Sequence, residues 1–268
     1  MSNNSYIGVF DSGIGGLTVV KAIADNMPNE NIIYFGDTAH VPYGTRSKRQ
    51  ITEYVLADVK FLNTFDLKAI VIACNTADSI ARGTVEEMYD LPIFGVVDPA
   101  SKRAAEITKN GKIGVIATNA TINSGAYNAA IAKYNPDAEV IGVACPLFVP
   151  LVENGRFNKG DIVIETVVRE YLDPLVAQGI DTLVLGCTHY PLLSDIIEGL
   201  YPSLQIISSS GAAADTLRQS LEANNLVGNS DDSVRKYFVS DDAEGFKRQA
   251  QVFMGDALGG DVTQVNLD

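Results

Sequence analysis

Two cysteines stand in matching settings. Ile70-Val71-Ile72-Ala73 runs apolar into Cys74-Asn75-Thr76, and Leu183-Val184-Leu185-Gly186 runs into Cys187-Thr188-His189. Short apolar runs that end in small and polar residues read as buried strands turning into helices. Pro191 suits the first turn of such a helix. A single cysteine after a strand often packs as a small hydrophobe. Two in the same strand–turn–helix grammar, in different halves of one chain, point to chemistry. The third, Cys145, precedes Pro146 and reads as structural.

Two facing thiols have three plausible jobs. A redox pair usually has CxxC spacing, which is absent. A nucleophilic thiol with a histidine base needs only one of them. Proton transfer on both faces of a carbon needs both, one as thiolate base and one as thiol acid, with roles exchanged in the reverse direction. A free thiol titrates near ~8.5, and a helix N-terminus lowers that by up to about 1.5 units. On those figures each thiol reaches neutrality at best, so neighbouring acid–base groups are expected: Asp11 near Cys74 and His189 near Cys187. Plainer readings stand beside these. Asp11 suits a helix cap, Asp37 a turn, His189 a hydrogen-bonded core position, and Asn75, Thr76 and Thr188 are natural cap residues.

The elements that must position these groups alternate. Ile7 to Phe10 reads as a strand delivering Asp11-Ser12-Gly13-Ile14-Gly15-Gly16, whose glycines let backbone approach a ligand closely. It meets neither the phosphate-loop nor the GxGxxG pattern. Strands follow at Asn31 to Phe35, Ile70 to Ala73 and Ile93 to Val97. The second half repeats the scheme with strands at Ile113 to Ile116, Glu139 to Ala144, Leu183 to Leu185 and Leu204 to Ile207. The tail reads as a helix from Ala212, one strand at Arg235 to Val239 and a last helix.

Alternating strands and helices predict a mainly parallel α/β protein whose ligand sits outside the carboxyl ends of the strands. Those ends carry Asp11, Ser12, Asp37, Cys74, Asn75, Thr76, Thr118, Thr121, Cys187, Thr188 and His189. About eight β-units also suit a single barrel. The paired thiol turns favour two pseudo-symmetric domains, each a mainly parallel sheet flanked by helices, with the active site in the cleft between. The expected division is 1–97 with 209–268 for the domain carrying Cys74, and 98–208 for the domain carrying Cys187.

Composition narrows the partners. The 268 residues carry a net charge of −13, which argues against nucleic acid, whose phosphates call for a basic footprint. An anionic substrate must then rely on helix N-termini and backbone N–H groups. No basic, apolar leader or membrane span is apparent, and three cysteines without CxxC pairing fit a reducing cytoplasm. No lysine stands at a strand end for a pyridoxal Schiff base, and two histidines with scattered cysteines make no metal site. The chemistry is expected to need no cofactor and no metal.

With these residues in view, the chain resembles the glutamate racemases of the aspartate/glutamate racemase family. The matching blocks are DSGIGGLTV from Asp11, GDTAHVPYGTRS from Gly36, VIACNTA from Val71, CPLFVPLVENG from Cys145 and LGCTHYPLL from Leu185. The resemblance implies a cofactor-independent isomerase that interconverts L- and D-glutamate, supplies D-glutamate for peptidoglycan and acts as a cytoplasmic homodimer. It implies Cys74 and Cys187 as the two bases, assisted by Asp11 and His189, with Glu153 and Asp37 as secondary candidates. Asp11, Ser12, Pro42, Tyr43, Gly44, Asn75, Thr76, Thr118, Thr121, Thr188 and His189 would hold the substrate. The related aspartate racemases look different after the second cysteine, so His189-Tyr190-Pro191 favours glutamate. Two departures stand out: His40 where the family often has arginine, and Ser209 where it often has aspartate. An amino-acid-binding protein on the same scaffold has no use for two thiols, and a cysteine hydrolase needs only one.

Overall fold

A computed structural model describes residues 2–229, 232–258 and 260–267. In chain order the strands are β1 (Tyr6–Asp11), β2 (Ile32–Gly36), β3 (Leu67–Ile72), β4 (Ile93–Gly95) and β5 (Lys112–Ala117). They continue with β6 (Glu139–Ala144), β7 (Thr182–Gly186), β8 (Gln205–Ser208), β9 (Arg235–Val239) and β10 (Val262–Gln264). The helices begin with α1 (Leu17–Asn26), α2 (Lys48–Leu62), α3 (Asn75–Met88), α4 (Val97–Ile107), α5 (Asn119–Ser124) and α6 (Ala126–Tyr134). They end with α7 (Phe148–Glu153), α8 (Ile162–Ala177), α9 (Ser194–Leu200), α10 (Ser209–Ala223) and α11 (Ala243–Met254). Among the described residues no helix is long and apolar enough to cross a membrane.

The strands form two separate, fully parallel sheets, in the orders β10-β9-β2-β1-β3-β4 and β6-β5-β7-β8. This is the α/β architecture expected, and the barrel alternative falls away because neither sheet closes on itself. Strands covered by helices on both faces need apolar side chains in both directions. β2, β3 and β7 accordingly are buried at every position. Both sheets share one winding. β1 has β2 on one side and β3 on the other, and β5 is likewise flanked by β6 and β7. A parallel sheet wound this way leaves a crevice at the carboxyl ends where the winding reverses, between the first and third strands. In the first sheet those ends deliver Asp11 and Cys74, and in the second Thr118 and Cys187. The likeness of the two thiol turns is therefore a likeness of topological position.

Two boundaries differ from expectation. The fourth strand stops at Gly95 instead of running to Val97. The N–H groups of Val96 and Val97 donate instead to Asp78 Oδ2, each at 2.8 Å, and α4 starts at once. A buried carboxylate on α3 thus caps the next helix. The tail also adds β10, a three-residue edge strand paired with β9. Val262-Thr263-Gln264 is too short and too polar on one face to show a period.

Lys68 is the one charge inside β3, fully buried. Its Nζ meets Glu30 Oε2 at 2.5 Å and donates to the carbonyls of Asn3 and Leu226 at 2.6 and 2.8 Å. Glu30 Oε1 accepts from Gly228 N at 2.7 Å. One buried pair therefore ties the chain's beginning to the segment before β9. Removing one partner strands the other charge, whereas replacing both need not. Lys68→Met is expected to lower unfolding free energy in urea by about 3–5 kcal/mol, with most of it recovered in Lys68→Met/Glu30→Leu. A neutral single change would contradict this account.

Candidate active site

The first wall of the cleft is the turn after β1. Asp11, 1 % exposed, folds its Oδ2 back to accept from Gly13 N (3.1 Å) and Gly16 N (3.0 Å). The turn's amides are thus consumed by the chain's own carboxylate and do not cradle a phosphate. Its glycines serve packing. A Cβ on Gly15 would strike Thr188 and His189, and one on Gly16 would strike Asp11 and Tyr34. At Gly15 the first lobe can approach the second this closely only without a side chain, whereas Gly16 makes room within the first lobe. Cys74 is the residue before α3, with its Sγ 3.7 Å from Ser12 Oγ and Asp11 beside it.

The second wall is the turn after β7. Cys187 Sγ lies 4.0 Å from His189 Nδ1, and the far ring nitrogen, Nε2, is 3.0 Å from Glu153 Oε1. Glu153 ends α7, so this lobe supplies a thiol, an imidazole and an orienting carboxylate in a line. The turn does not enter an α-helix directly. Tyr190–Leu193 is a 3₁₀ turn, and α9 starts only at Ser194. Cys187 therefore gains less from a helix terminus than the sequence pattern implies.

Between the walls lies a cavity of about 40 Å³, lined by Ser12, Val41, Pro42, Tyr43, Gly44, Cys74, Asn75, Thr76, Thr118, Val149, Cys187, Thr188 and His189. That is room for a few waters and far below the several hundred Å³ of ordinary ligand sites. A ligand as large as an amino acid must open it. None of the lining residues is Lys or Arg. The polar floor bridges the lobes through a hydroxyl triangle: Thr76 to Thr118 at 2.9 Å, Thr76 to Thr121 at 3.2 Å and Thr118 to Thr121 at 3.1 Å. Asn75 Oδ1 accepts from Tyr127 Oη at 2.6 Å, and its Nδ2 donates to Ser209 Oγ at 3.3 Å. Ser209, which departs from the resembled pattern, is thus a contact in the cavity floor.

Most of the sequence candidates line the cavity. Asp11, Thr121 and Glu153 sit directly behind it, bonded respectively to the glycine turn, the threonine triangle and His189. Asp37 is one layer further back, fully buried, and accepts from Tyr43 Oη at 2.6 Å. His40 lies outside the lining, stacked on Tyr54 with ring centroids 4.1 Å apart and bonded to Asp37. Cys145 lines not this cavity but a neighbouring apolar one of about 290 Å³. Val41 and Val149 line the cavity without having been singled out, because an apolar loop residue carries no chemical signal in a sequence. Asp58 was also missed. It falls in the buried stripe of α2 with Ile51, Val55, Val59 and Leu62, where an acid in an apolar period is a legible anomaly.

Burial governs the electrostatics and corrects the expectation of near-neutral thiols. Cys74 is pushed up to about 12, first by burial and then by the Asp11 carboxylate, against the lowering effect of Ala77 and Ser12. Cys187 rises too, again chiefly through burial, with the His189 amide opposing. Asp11 is raised by burial and pulled back by His189 and the Gly16 and Gly13 amides. Burial outweighs one helix turn's dipole here, so in the closed cavity both sulfurs are neutral thiols.

Comparison with known proteins fixes the class first: an isomerase of the racemase type. The chain belongs to the Asp/Glu/Hydantoin racemase family, whose model matches residues 10–217. Among curated relatives, the glutamate racemase of Geobacter metallireducens is 45% identical over 264 residues, covering 98% of this chain and 97% of that protein. Among solved structures, the Francisella tularensis glutamate racemase in complex with D-glutamate superposes with a TM-score of 0.92 at 38% identity, covering 99% of both chains. The Bacillus anthracis isoform RacE1 gives a TM-score of 0.92 at 36% identity, covering 99% of this chain and 98% of that one.

A neutral, buried thiol alkylates slowly because the thiolate is the nucleophile. At about pH 7.5, Cys74 is expected to react with iodoacetamide on the order of a thousandfold more slowly than free cysteine, as read by peptide mass mapping. Its rate should keep climbing with pH beyond about 8.5, where free cysteine levels off. A plateau there would show the thiol to be unshifted.

Proposed function

We propose that the protein interconverts L- and D-glutamate by two-base proton transfer without a cofactor, and so supplies D-glutamate for peptidoglycan in the cytoplasm. The observation that carries this reading is that Cys74 and Cys187, from equivalent positions in two sheets, line one cavity. Each has its own acid–base neighbour, Asp11 for Cys74 and the His189–Glu153 pair for Cys187. The names of the relatives and the bound D-glutamate in the Francisella structure support the substrate. The two-domain division at 1–97 with 209–268 against 98–208 goes with this reading, since β1–β4, β9 and β10 make one sheet and β5–β8 the other.

The chemistry follows from the electrostatics. A thiol with a pKa raised by burial is a poor base until its proton leaves, and Asp11 or His189 is the receiver at hand. The resulting thiolate removes the α-proton and becomes a thiol again. The opposite thiol delivers its proton to the other face of the carbanion and is left as thiolate. The substrate's carboxylates meet no lysine or arginine in the lining, so the α3 N-terminus at Asn75 and Thr76 and the surrounding hydroxyls take them. A strongly raised thiol pKa is also an advantage in the transfer itself, because a more basic thiolate is better matched to a weakly acidic C–H.

Cys187, His189 and Glu153 also align as the nucleophile, base and orienter of a cysteine hydrolase. That reading leaves Cys74 without a role. Cys74→Ala and Cys187→Ala are each expected to lower racemisation, followed by circular dichroism on L-glutamate, by at least about a thousandfold, as loss of a general acid or base does. Cys145→Ala should keep most of the activity. Retained racemisation in Cys74→Ala would rule out the two-thiol site, and an acyl-thioester trapped on Cys187 would identify the hydrolase. In deuterated water, early product should carry deuterium at the α-carbon while recovered substrate stays largely unlabelled. Equal early labelling of both enantiomers would rule out separate bases on the two faces.

A further inference from the structure

The loop that covers the cavity is held from behind by acids that the proton transfer does not use. Val41, Pro42, Tyr43 and Gly44 all line the cavity. Tyr43 is 1 % exposed, so its hydroxyl points away from solvent into the first lobe. There it lies 2.6 Å from Asp37 Oδ2 and 3.1 Å from Asp58 Oδ2. Gly44, next along, packs against Thr118 of the second lobe so tightly that an added Cβ would come within 2.9 Å of Thr118 Cβ. The position of Tyr43 thus sets where the loop meets the opposite lobe.

Hydrogen counting decides the protonation. A phenol has one hydrogen and two acceptor lone pairs. The shorter contact takes that hydrogen to Asp37, which also accepts from Ser240 Oγ at 2.8 Å and faces His40 Nδ1 at 2.9 Å. Two hydroxyl donors and a ring nitrogen converging on Asp37 are the pattern of a carboxylate. The Tyr43 oxygen is then left with only lone pairs to offer Asp58. Were Asp58 also ionised, lone pairs would oppose lone pairs at 3.1 Å inside a site from which water is excluded. Asp58 is fully buried, and its Oδ1 has no hydrogen-bond partner. An unpartnered carbonyl oxygen of a neutral acid costs far less than half of an unpaired carboxylate. Burial and the neighbouring Asp37 charge push the Asp58 pKa well upward, in the same direction.

From this geometry we propose that Asp58 is a positioning residue: a neutral carboxylic acid whose O–H donates to Tyr43, which donates to Asp37, so that the chain of hydrogen bonds pins the 41–44 loop over the cavity. The acid touches no substrate and acts through Tyr43. Its effect on turnover rests on the glutamate racemase reading, while its protonation and its hold on the loop do not.

The test has arms of both kinds. In the infrared, the wild-type protein should show the C=O stretch of a protonated carboxyl at neutral pH, lost in Asp58→Asn. Hydrogen exchange of the peptide spanning residues 38–46 should be faster in Asp58→Leu and in Tyr43→Phe than in wild type. It should stay slow in Asp58→Asn, whose amide donates to Tyr43 as the acid does. With glutamate, Asp58→Leu should raise KM by roughly three- to tenfold with kcat changed much less, the size of one lost hydrogen bond in uniform binding, and Asp58→Asn should restore KM. If Asp58→Leu does not fold, Tyr43→Phe carries the exchange arm alone. A missing carboxyl band, or Asp58→Asn as damaging as Asp58→Leu, overturns the proposal. So does unchanged exchange in Tyr43→Phe. Should wild type fail to racemise glutamate, the functional reading fails, and the infrared and exchange results still decide Asp58.

Discussion

Burial of ionisable groups in the narrow space between the two sheets is the constraint on which the rest depends. A thiol in that space stays neutral, as the upward shift of Cys74 to about 12 expresses, so it cannot act as a base alone. The structure answers by placing a second ionisable group against each sulfur: Asp11 at the first, His189 backed by Glu153 at the second. It also keeps lysine and arginine away from the lining, so polar backbone and hydroxyl groups remain to meet anionic groups. In a chain of net charge −13, such a site must attract an anion through local dipoles and not through its overall field.

The same closure explains the glycine turn and the threonines. Two lobes that meet over a small, buried site need complementary surfaces at close range, and Gly15 supplies one by having no side chain to collide with Thr188 or His189. Thr18 Oγ1 donates to Thr188 O at 3.0 Å, and the Thr76–Thr118–Thr121 triangle joins the lobes on the other flank. These are short, neutral hydrogen bonds between small groups, each of modest strength in water-exposed surroundings. Contacts of that kind suit an interface that must part to admit a ligand: the about 40 Å³ between the lobes holds little more than water.

Around this centre, buried charge is used sparingly and always with partners. Asp78 caps α4, the Lys68–Glu30 pair ties the chain's beginning to its tail, and Asp37 gathers two hydroxyls and the His40 ring nitrogen beneath the cavity loop. Each sits at a junction between segments far apart in sequence. A buried polar contact has few alternative partners, so it specifies one arrangement of those segments where apolar packing would tolerate several.

Much of this was legible in the chain itself. Apolar runs ending in Cys74 and Cys187, and the alternation of strand and helix, determine a parallel α/β fold and put these two cysteines and their polar neighbours at strand ends, since side-chain period and turn chemistry are local properties. What the sequence could not carry was the environment. A helix-terminus argument made the thiols near-neutral, whereas burial makes them weak acids, and burial depends on what the opposite lobe covers. The glycines of the Asp11 turn read as room for a ligand and proved to be room for Thr188 and His189, a contact across more than half the chain. Asp58 stands out in the apolar stripe of α2, but its link to Tyr43 and Asp37, like the places of Val41 and Val149, came into view only in three dimensions, because desolvation and packing are set by neighbours in space, which local patterns of residues do not name.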